Sequence, residues 1–281
     1  MENSIYSKKF KPMDAILLGA VSMSAFLVVA LLLGIVGYIA VKGIPVINVE
    51  FLTKVESVIN GTFGILGNII NTLYIIVITL LISVPIGIGA AVYLNEYAKK
   101  GKMVKAIEFA TEILAGIPSI IYGLFGMVFF GNTLKLGYSI LCGCFTLTIM
   151  VLPTIIRTTQ EALKTVPLAY RSGAMGIGAT KWYMIRTVIL PSAMPGVLTG
   201  IILSIGRIVG ESAALKFTSG SGYLLPNSVF KHIFNSGGSL TIQLYMLMEK
   251  ASYDYAFGVA LVLLIIVLAV NGLTRLVSYK K

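Results

Sequence analysis

Glu161–Pro191 reads EALKTVPLAYRSGAMGIGATKWYMIRTVILP, a polar, basic stretch set between two runs apolar enough to cross a membrane. It carries its own helix punctuation. Pro167 suits the first turn of a helix, where its missing N–H is not needed. Ala169–Met175 has the length of about two turns, and Gly176 and Gly178 then favour a stop. Thr180 is a candidate N-cap for a second short helix, which Pro191 is expected to end. A helix–turn–helix on the wet side of a membrane protein is a docking surface, or else an ordinary loop with two interfacial helices.

Outward from this stretch the chain is apolar. Of its 281 residues 57% are hydrophobic and only 12% charged, against about 25% charged in a soluble domain; mean hydropathy is +0.93. Six apolar spans stand out: Ala15–Val41, Ile69–Leu94, Ile113–Phe130, Tyr138–Ile156, Met194–Leu215 and Phe257–Leu273. Each is near the roughly 20 residues that cross a bilayer as a helix. The reading is an all-α membrane protein forming a single transmembrane domain over 1–281. Within it lie an N-terminal helix at about 15–41, a core at about 64–276 and a wet loop at about 157–192. No G-x-x-x-x-G-K-[ST] phosphate loop is present, so the chain does not hydrolyse ATP by that route.

The charges orient the spans. Lys8, Lys9, Lys11, Lys99, Lys100, Lys102, Lys105, Arg157, Lys164, Arg171, Lys181, Arg186, Arg275, Lys280 and Lys281 flank one side. Lys42, Lys54, Lys135, Lys216, Lys231 and Lys250 flank the other. The positive-inside rule then puts both termini and the 157–192 loop in the cytoplasm. The net charge of +11 follows from this bias and needs no nucleic acid. The first span is far longer than a signal-peptide core and reads as an uncleaved anchor. Cys142 and Cys144 point to nearly opposite helix faces and read as small buried hydrophobes. With His232 the lone histidine, no His cluster is available for a metal. Across the six spans only Arg207 and Glu211 place charge in an apolar interior; at i and i+4 they share a helix face and can pair. In the long outer segment Leu240, Leu244, Leu247 and Ala251 fall at helical spacing, which predicts a short amphipathic helix on the membrane surface or against a partner.

The spacing of the loop resembles the cytoplasmic signature of binding-protein-dependent ABC importer permeases: Glu-Ala-Ala, three residues, Gly, nine residues, Ile, one residue, Leu-Pro. Here Ser172-Gly173-Ala174 is followed in register by Gly178, Val188 and Leu190-Pro191. Ser172-Gly173 departs from Glu-Ala, and Val188 from Ile. Further segments resemble the PstA permeases of phosphate-specific importers. They are Pro85–Ala91 with Tyr93-Leu94-Asn95-Glu96-Tyr97, Gly116–Ile120 with Gly123–Gly126, and the run through Arg207, Gly210-Glu211 and Phe217-Thr218. Ala214 stands where that family pattern leads one to expect proline.

The resemblance implies a type I ABC importer permease fold with six transmembrane helices and both termini cytoplasmic. It implies no catalysis by this chain and no cofactor of its own, with ATP and Mg on a partner ATPase. It also implies a PstC-like second permease forming a heterodimer, a PstB-like ATPase dimer and a PstS-like extracytoplasmic phosphate-binding protein. Arg207, Glu211, Ser212 and Thr218, with Ser219 behind them, are then the expected substrate-pathway residues. Arg171, Ser172, Gly173, Ala174 and Gly178 are the expected ATPase-coupling residues. Another oxyanion (phosphonate, molybdate or sulfate), a secondary transporter or channel, and a signalling scaffold are the competing readings.

Overall fold

In hydrocarbon a backbone must satisfy its own hydrogen bonds, so long apolar runs become long helices. A computed structural model describes residues 12–57, 62–99, 101–225 and 228–279. The order is α1 (Pro12–Gly43), α2 (Val49–Thr53), β1 (Val55–Ser57), β2 (Thr62–Ile65), α3 (Leu66–Val92), α4 (Lys102–Gly116), α5 (Ser119–Gly126) and α6 (Ile140–Thr165). Then follow α7 (Leu168–Gly176), α8 (Lys181–Met184), α9 (Leu190–Gly210), α10 (Ala213–Thr218), α11 (Val229–His232), α12 (Leu240–Glu249) and α13 (Tyr253–Tyr279). β1 and β2 pair antiparallel. π-turns extend α3 through Tyr93–Tyr97 and α5 through Met127–Thr133, and Ile185–Ile189 forms a third. Among the described residues five helices are long and apolar enough to span a membrane, and six if one bent pair counts as a span.

That bent pair corrects the third expected span. Ile113–Phe130 is not one helix: α4 ends at Gly116, α5 starts at Ser119, and the two meet at 102°. Pro118 explains the break. A proline disfavours helical geometry in the residue before it, and Ile117 accordingly has φ −69°, ψ 131°. The fifth span is corrected as well. It begins at Lys181 and runs through the Ile185–Ile189 π-turn into α9, ending at Gly210. Pro191 therefore starts α9 rather than stopping the second short helix.

The outer helix exists. α12 buries Leu240, Ile242 and Leu247 against the bundle and leaves Tyr245 and Met248 exposed, so one face packs on the protein. Ser239 caps it, accepting from the Ile242 N–H at 3.3 Å. The loop before it is stitched to the start of α3. The Asn68 and Asn71 amides donate to the carbonyls of Gly238 and Gly222, both at 3.0 Å. His232 Nε2 lies 2.7 Å from Asn71 Oδ1. Burial disfavours the imidazolium and lowers the His232 pKa. Cys142 and Cys144 are buried and free, as their spacing required.

The core lies where α3, α6 and α9 meet, with Ile75, Leu147, Met150, Ile155, Ile205 and Ile208 buried together. Small residues bring these helices close. A Cβ on Gly87 of α3 would sit 2.6 Å from Ile155 Cγ2 on α6, and one on Gly200 of α9 would overlap Thr158 Oγ1. Gly89, two residues from Gly87, has nothing within 4 Å. Gly87→Leu is therefore expected to overpack the α3–α6 contact and cost about 1–3 kcal/mol, lowering the thermal unfolding midpoint in detergent. Gly89→Leu is expected to leave that midpoint unchanged, and equal midpoints for the two variants would show that α3 and α6 do not meet at Gly87.

Candidate functional site: a broken helix and a cytoplasmic-type loop

Two breaks face each other within the bundle. α9 stops at Gly210, Glu211 takes extended geometry at φ −84°, ψ 121°, and α10 begins two residues later. α10 packs on α5 beyond the other break, so closely that a Cβ on Gly123 would lie 2.9 Å from Ala214 Cα. Glu211 does not pair with Arg207. The helix ends between them, which removes the i, i+4 geometry. The Glu211 carboxylate instead turns forward, where Oε1 accepts from the Ala214 N–H at 3.0 Å. A proline at 214 would have no N–H to give, so alanine here supplies the donor that holds the carboxylate. The Glu211 carbonyl accepts from Thr241 Oγ1 at 2.9 Å, tying the break to α12.

Arg207 lies in the last turn of α9, half-buried. A cation there is favoured by the unpaired carbonyls of the helix end. Among the described residues no carboxylate lies within 4.0 Å of its guanidinium, unlike Arg157 and Arg171, which have acidic partners. The Tyr122 hydroxyl of α5 donates to the Leu114 carbonyl at 2.6 Å, bridging the α4–α5 break. Ser212 is half-buried and lines a cavity of about 320 Å³ with Lys216 and Tyr245. Thr218 is buried, its hydroxyl donating to the Ala214 carbonyl at 2.8 Å, and Ser219 is likewise buried. So Glu211 and Ser212 sit at the break and Arg207 on the helix end before it, with no bond joining Arg207 to either, while Thr218 and Ser219 are engaged within their own segment.

A second set of charges escaped the sequence reading. Glu108, Thr111, Glu112 and Ala115 of α4 face Thr154, Arg157, Gln160, Glu161 and Lys164 of α6 across a cleft of about 370 Å³. The spacing of 108, 111, 112 and 115 on one helix face was the available signal. It was hidden because the third span was expected to start at Ile113, just beyond Glu108 and Glu112.

The loop after α6 has the expected two-helix form. Pro167 precedes α7, and Gly178 has φ +84°, a left-handed turn that glycine adopts without strain. The Thr180 hydroxyl accepts from the Tyr183 N–H at 3.3 Å to start α8. Leu168, Met175, Ile177, Trp182 and Tyr183 are exposed. Ser172, Gly173 and Gly178 share that exposure, and nothing lies within 4 Å of a Cβ on either glycine. Ala174 is half-buried against the core beneath. Arg171 points the other way, into the protein.

A bundle of apolar helices, with a charge beside a helix break and a structured apolar loop at one end, is the architecture a membrane permease requires. Residues 83–280 match the family of binding-protein-dependent transport system inner membrane components, and the chain belongs to that family. It is thus a multi-pass protein of the cytoplasmic membrane and a transport subunit of a system that works with a binding protein.

Curated relatives agree. The chain is 37% identical over 207 residues to a probable ABC transporter permease protein, YqgI, of Bacillus subtilis, covering 74% of this chain and 70% of the relative. It is 32% identical over 238 residues to the phosphate transport system permease protein PstA of Haemophilus influenzae, covering 84% and 83%. It is 33% identical over 242 residues to PstA of Yersinia pestis, covering 85% and 81%. Among solved structures a bacterial alginate ABC transporter chain superposes with a TM-score of 0.68 at 17% identity, covering 95% of this chain and 94% of that one. A chain of the MetNI methionine ABC transporter superposes at 0.57 and 21%, covering 76% and 94%. At those identities the likeness is one of fold, the type I ABC importer permease fold.

Proposed function

We propose that this chain is the permease subunit of an ATP-driven importer that moves inorganic phosphate across the cytoplasmic membrane by alternating access. The observation that carries the substrate is the agreement with PstA proteins over more than four-fifths of both chains, which includes the Arg207–Glu211 segment. In this reading the chain pairs with a PstC-like permease. A PstB-like ATPase dimer holds the ATP and Mg, and a PstS-like protein delivers phosphate from outside. Uptake of labelled phosphate by the reconstituted four-protein system, competed by unlabelled phosphate but not by sulfate or molybdate, supports the reading. Competition by those oxyanions would reassign the substrate, and uptake that persists without the ATPase would make the chain a secondary carrier or channel.

Arg207 would attract the oxyanion, since a guanidinium presents matched donors to phosphate, and Ser212 would add a hydroxyl from the break that follows α9. Glu211, held by the Ala214 N–H, keeps the break open. Its negative charge weakens the grip on the anion, as turnover requires. Thr218 serves by closing α10 on itself rather than by meeting the anion. Arg207→Gln is expected to lower phosphate uptake at least tenfold, and Arg207→Lys to lower it less, with the complex intact and ATP hydrolysis retained. Glu211→Gln is expected to slow release and so reduce maximal uptake more than half-saturation. Normal uptake by Arg207→Gln would remove Arg207 from the pathway.

The exposed face of the α7–α8 loop would seat the ATPase, with Ser172, Gly173, Ala174 and Gly178 allowing close approach. Gly178→Trp confounds contact with backbone strain, because its φ is positive. Gly173 is helical and unobstructed, so Gly173→Trp isolates the surface. It is expected to lose co-purifying ATPase and transport while still inserting. Full recovery of ATPase with Gly173→Trp would move the docking site elsewhere.

Both termini and this loop would be cytoplasmic on the charge bias. A cysteine at Asn235 is then expected to react with an impermeant thiol reagent from outside, and one at Ile177 only from inside. The opposite pattern would invert the topology. Asn235 is chosen because it is exposed, whereas the Ser236 hydroxyl is bonded to the Ser219 carbonyl at 3.1 Å.

A further inference from the structure

Arg171 sits in the middle of the loop helix α7, yet only 15% of its side chain is exposed. Its guanidinium makes three bonds within the chain. Nη1 donates to the Val166 carbonyl at 2.7 Å, and Nη2 donates to the Leu163 carbonyl at 2.8 Å and to Glu96 Oε1 at 2.9 Å. The first two oxygens belong to the C-terminal end of α6, where carbonyls lack helical partners. The third belongs to the π-turn that ends α3. The Glu96 side chain is only 6% exposed, and its Oε1 also accepts from the Asn95 amide at 2.7 Å. The neighbouring Tyr97 ring lies under Lys181 of α8, with Nζ 4.9 Å from its centroid. Both helices of the loop are thus fastened to the same five-residue turn, α7 by a buried ion pair and α8 by a cation on an aromatic face.

We propose that Glu96 is a positioning residue for transport: through Arg171 it makes the α7–α8 loop and the end of α3 one mechanical unit, so that movement of the loop is delivered to α3. The assignment rests on the reading that this loop meets a cytoplasmic ATPase. Three features support it. Removing one member of a buried ion pair leaves a desolvated charge behind, so this contact does not slip as an exposed pair would. The receiving element is a π-turn, with the Ala98 N–H donating to the Tyr93 carbonyl at 2.9 Å. Such turns are frequent at functional sites. And α3 is the helix packed most intimately on α6 through Gly87, so a displacement of its end is carried into the core rather than lost at the surface. The Tyr93–Tyr97 segment is otherwise without a role in the substrate or docking readings.

The test uses the assembled transporter in vesicles, comparing the parent with Glu96→Gln, which keeps shape and removes charge. The latch predicts that the complex assembles and hydrolyses ATP while phosphate moved per ATP falls at least tenfold. Glu96→Cys combined with Arg171→Cys is expected to be uncoupled when reduced and to recover when a short bifunctional thiol reagent joins the two positions. A merely structural role predicts instead that assembly, hydrolysis and transport fall together with their ratio unchanged, and that result overturns the proposal. A second measurement does not need the ATPase. Spin labels at the exposed Tyr93 and Met175 are expected to give one narrow distance in the parent and a broad one in Glu96→Gln. Equal widths overturn the latch. If no ATPase associates with the parent, the function proposed above fails, and the label distances alone decide the latch.

Discussion

A methyl group on Gly87 would collide with Ile155, and one on Gly200 with Thr158; α3 and α9 therefore press on α6 almost backbone to backbone. Lipid supplies little hydrophobic drive for one helix to seek another, so close packing of small residues has to hold such a bundle. The α3–α6–α9 contact is the constraint on which the rest depends. α13 and α12 lean on it from one side. α5 and α10 close it from another, and the loop α7–α8 is hung between the ends of two of its members. Because a well-packed core does not deform smoothly, a push at its cytoplasmic-type end has to move whole helices.

The two helix breaks are stable for a related reason. Irregular backbone is tolerated at membrane depth only where protein or a water-filled cavity satisfies it. Here each break is answered by protein groups close to it. Tyr122 crosses the α4–α5 break to the Leu114 carbonyl. Thr241 donates to the Glu211 carbonyl, and the Glu211 carboxylate takes the Ala214 N–H. Fold and site are thus one feature: the bonds that satisfy the break after α9 also fix the carboxylate and carbonyl of Glu211.

Much of this was legible in the sequence because the bilayer imposes a rule on every window of about 20 residues. The long spans, the turn at Gly178 and the Thr180 cap are local properties and could be read locally. What escaped reading depends on partners far away in the chain. The fifth span reads as apolar through Leu215, and nothing in Gly210-Glu211-Ser212 announces that the helix stops until Thr241 and Ala214 are seen to bond there. Arg171 reads as an ATPase-coupling residue of the loop rather than as a buried anchor, since its partner Glu96 is 75 residues distant. α12 has the same apolar spacing whether lipid or protein covers it. Pro118 and Pro191 carry the same residue type to opposite outcomes, a 102° break and a helix start, because the outcome depends on which neighbours replace the lost hydrogen bond.

α1 stands apart from all this. Its apolar stretch, Ile16–Val46, is 31 residues long and has none of its most apolar window buried. At about 1.5 Å per residue it is some 46 Å long, well beyond the roughly 30 Å of hydrocarbon that surrounds it. Its apolar side chains point in every direction, so no single face fixes its rotation. The surplus length has to be absorbed by tilt, or by local thickening of the bilayer. The lipid thus becomes a structural determinant of this one helix. Changing acyl-chain length will re-aim α1 and strain its seam with α13 first, well before it disturbs the packed core.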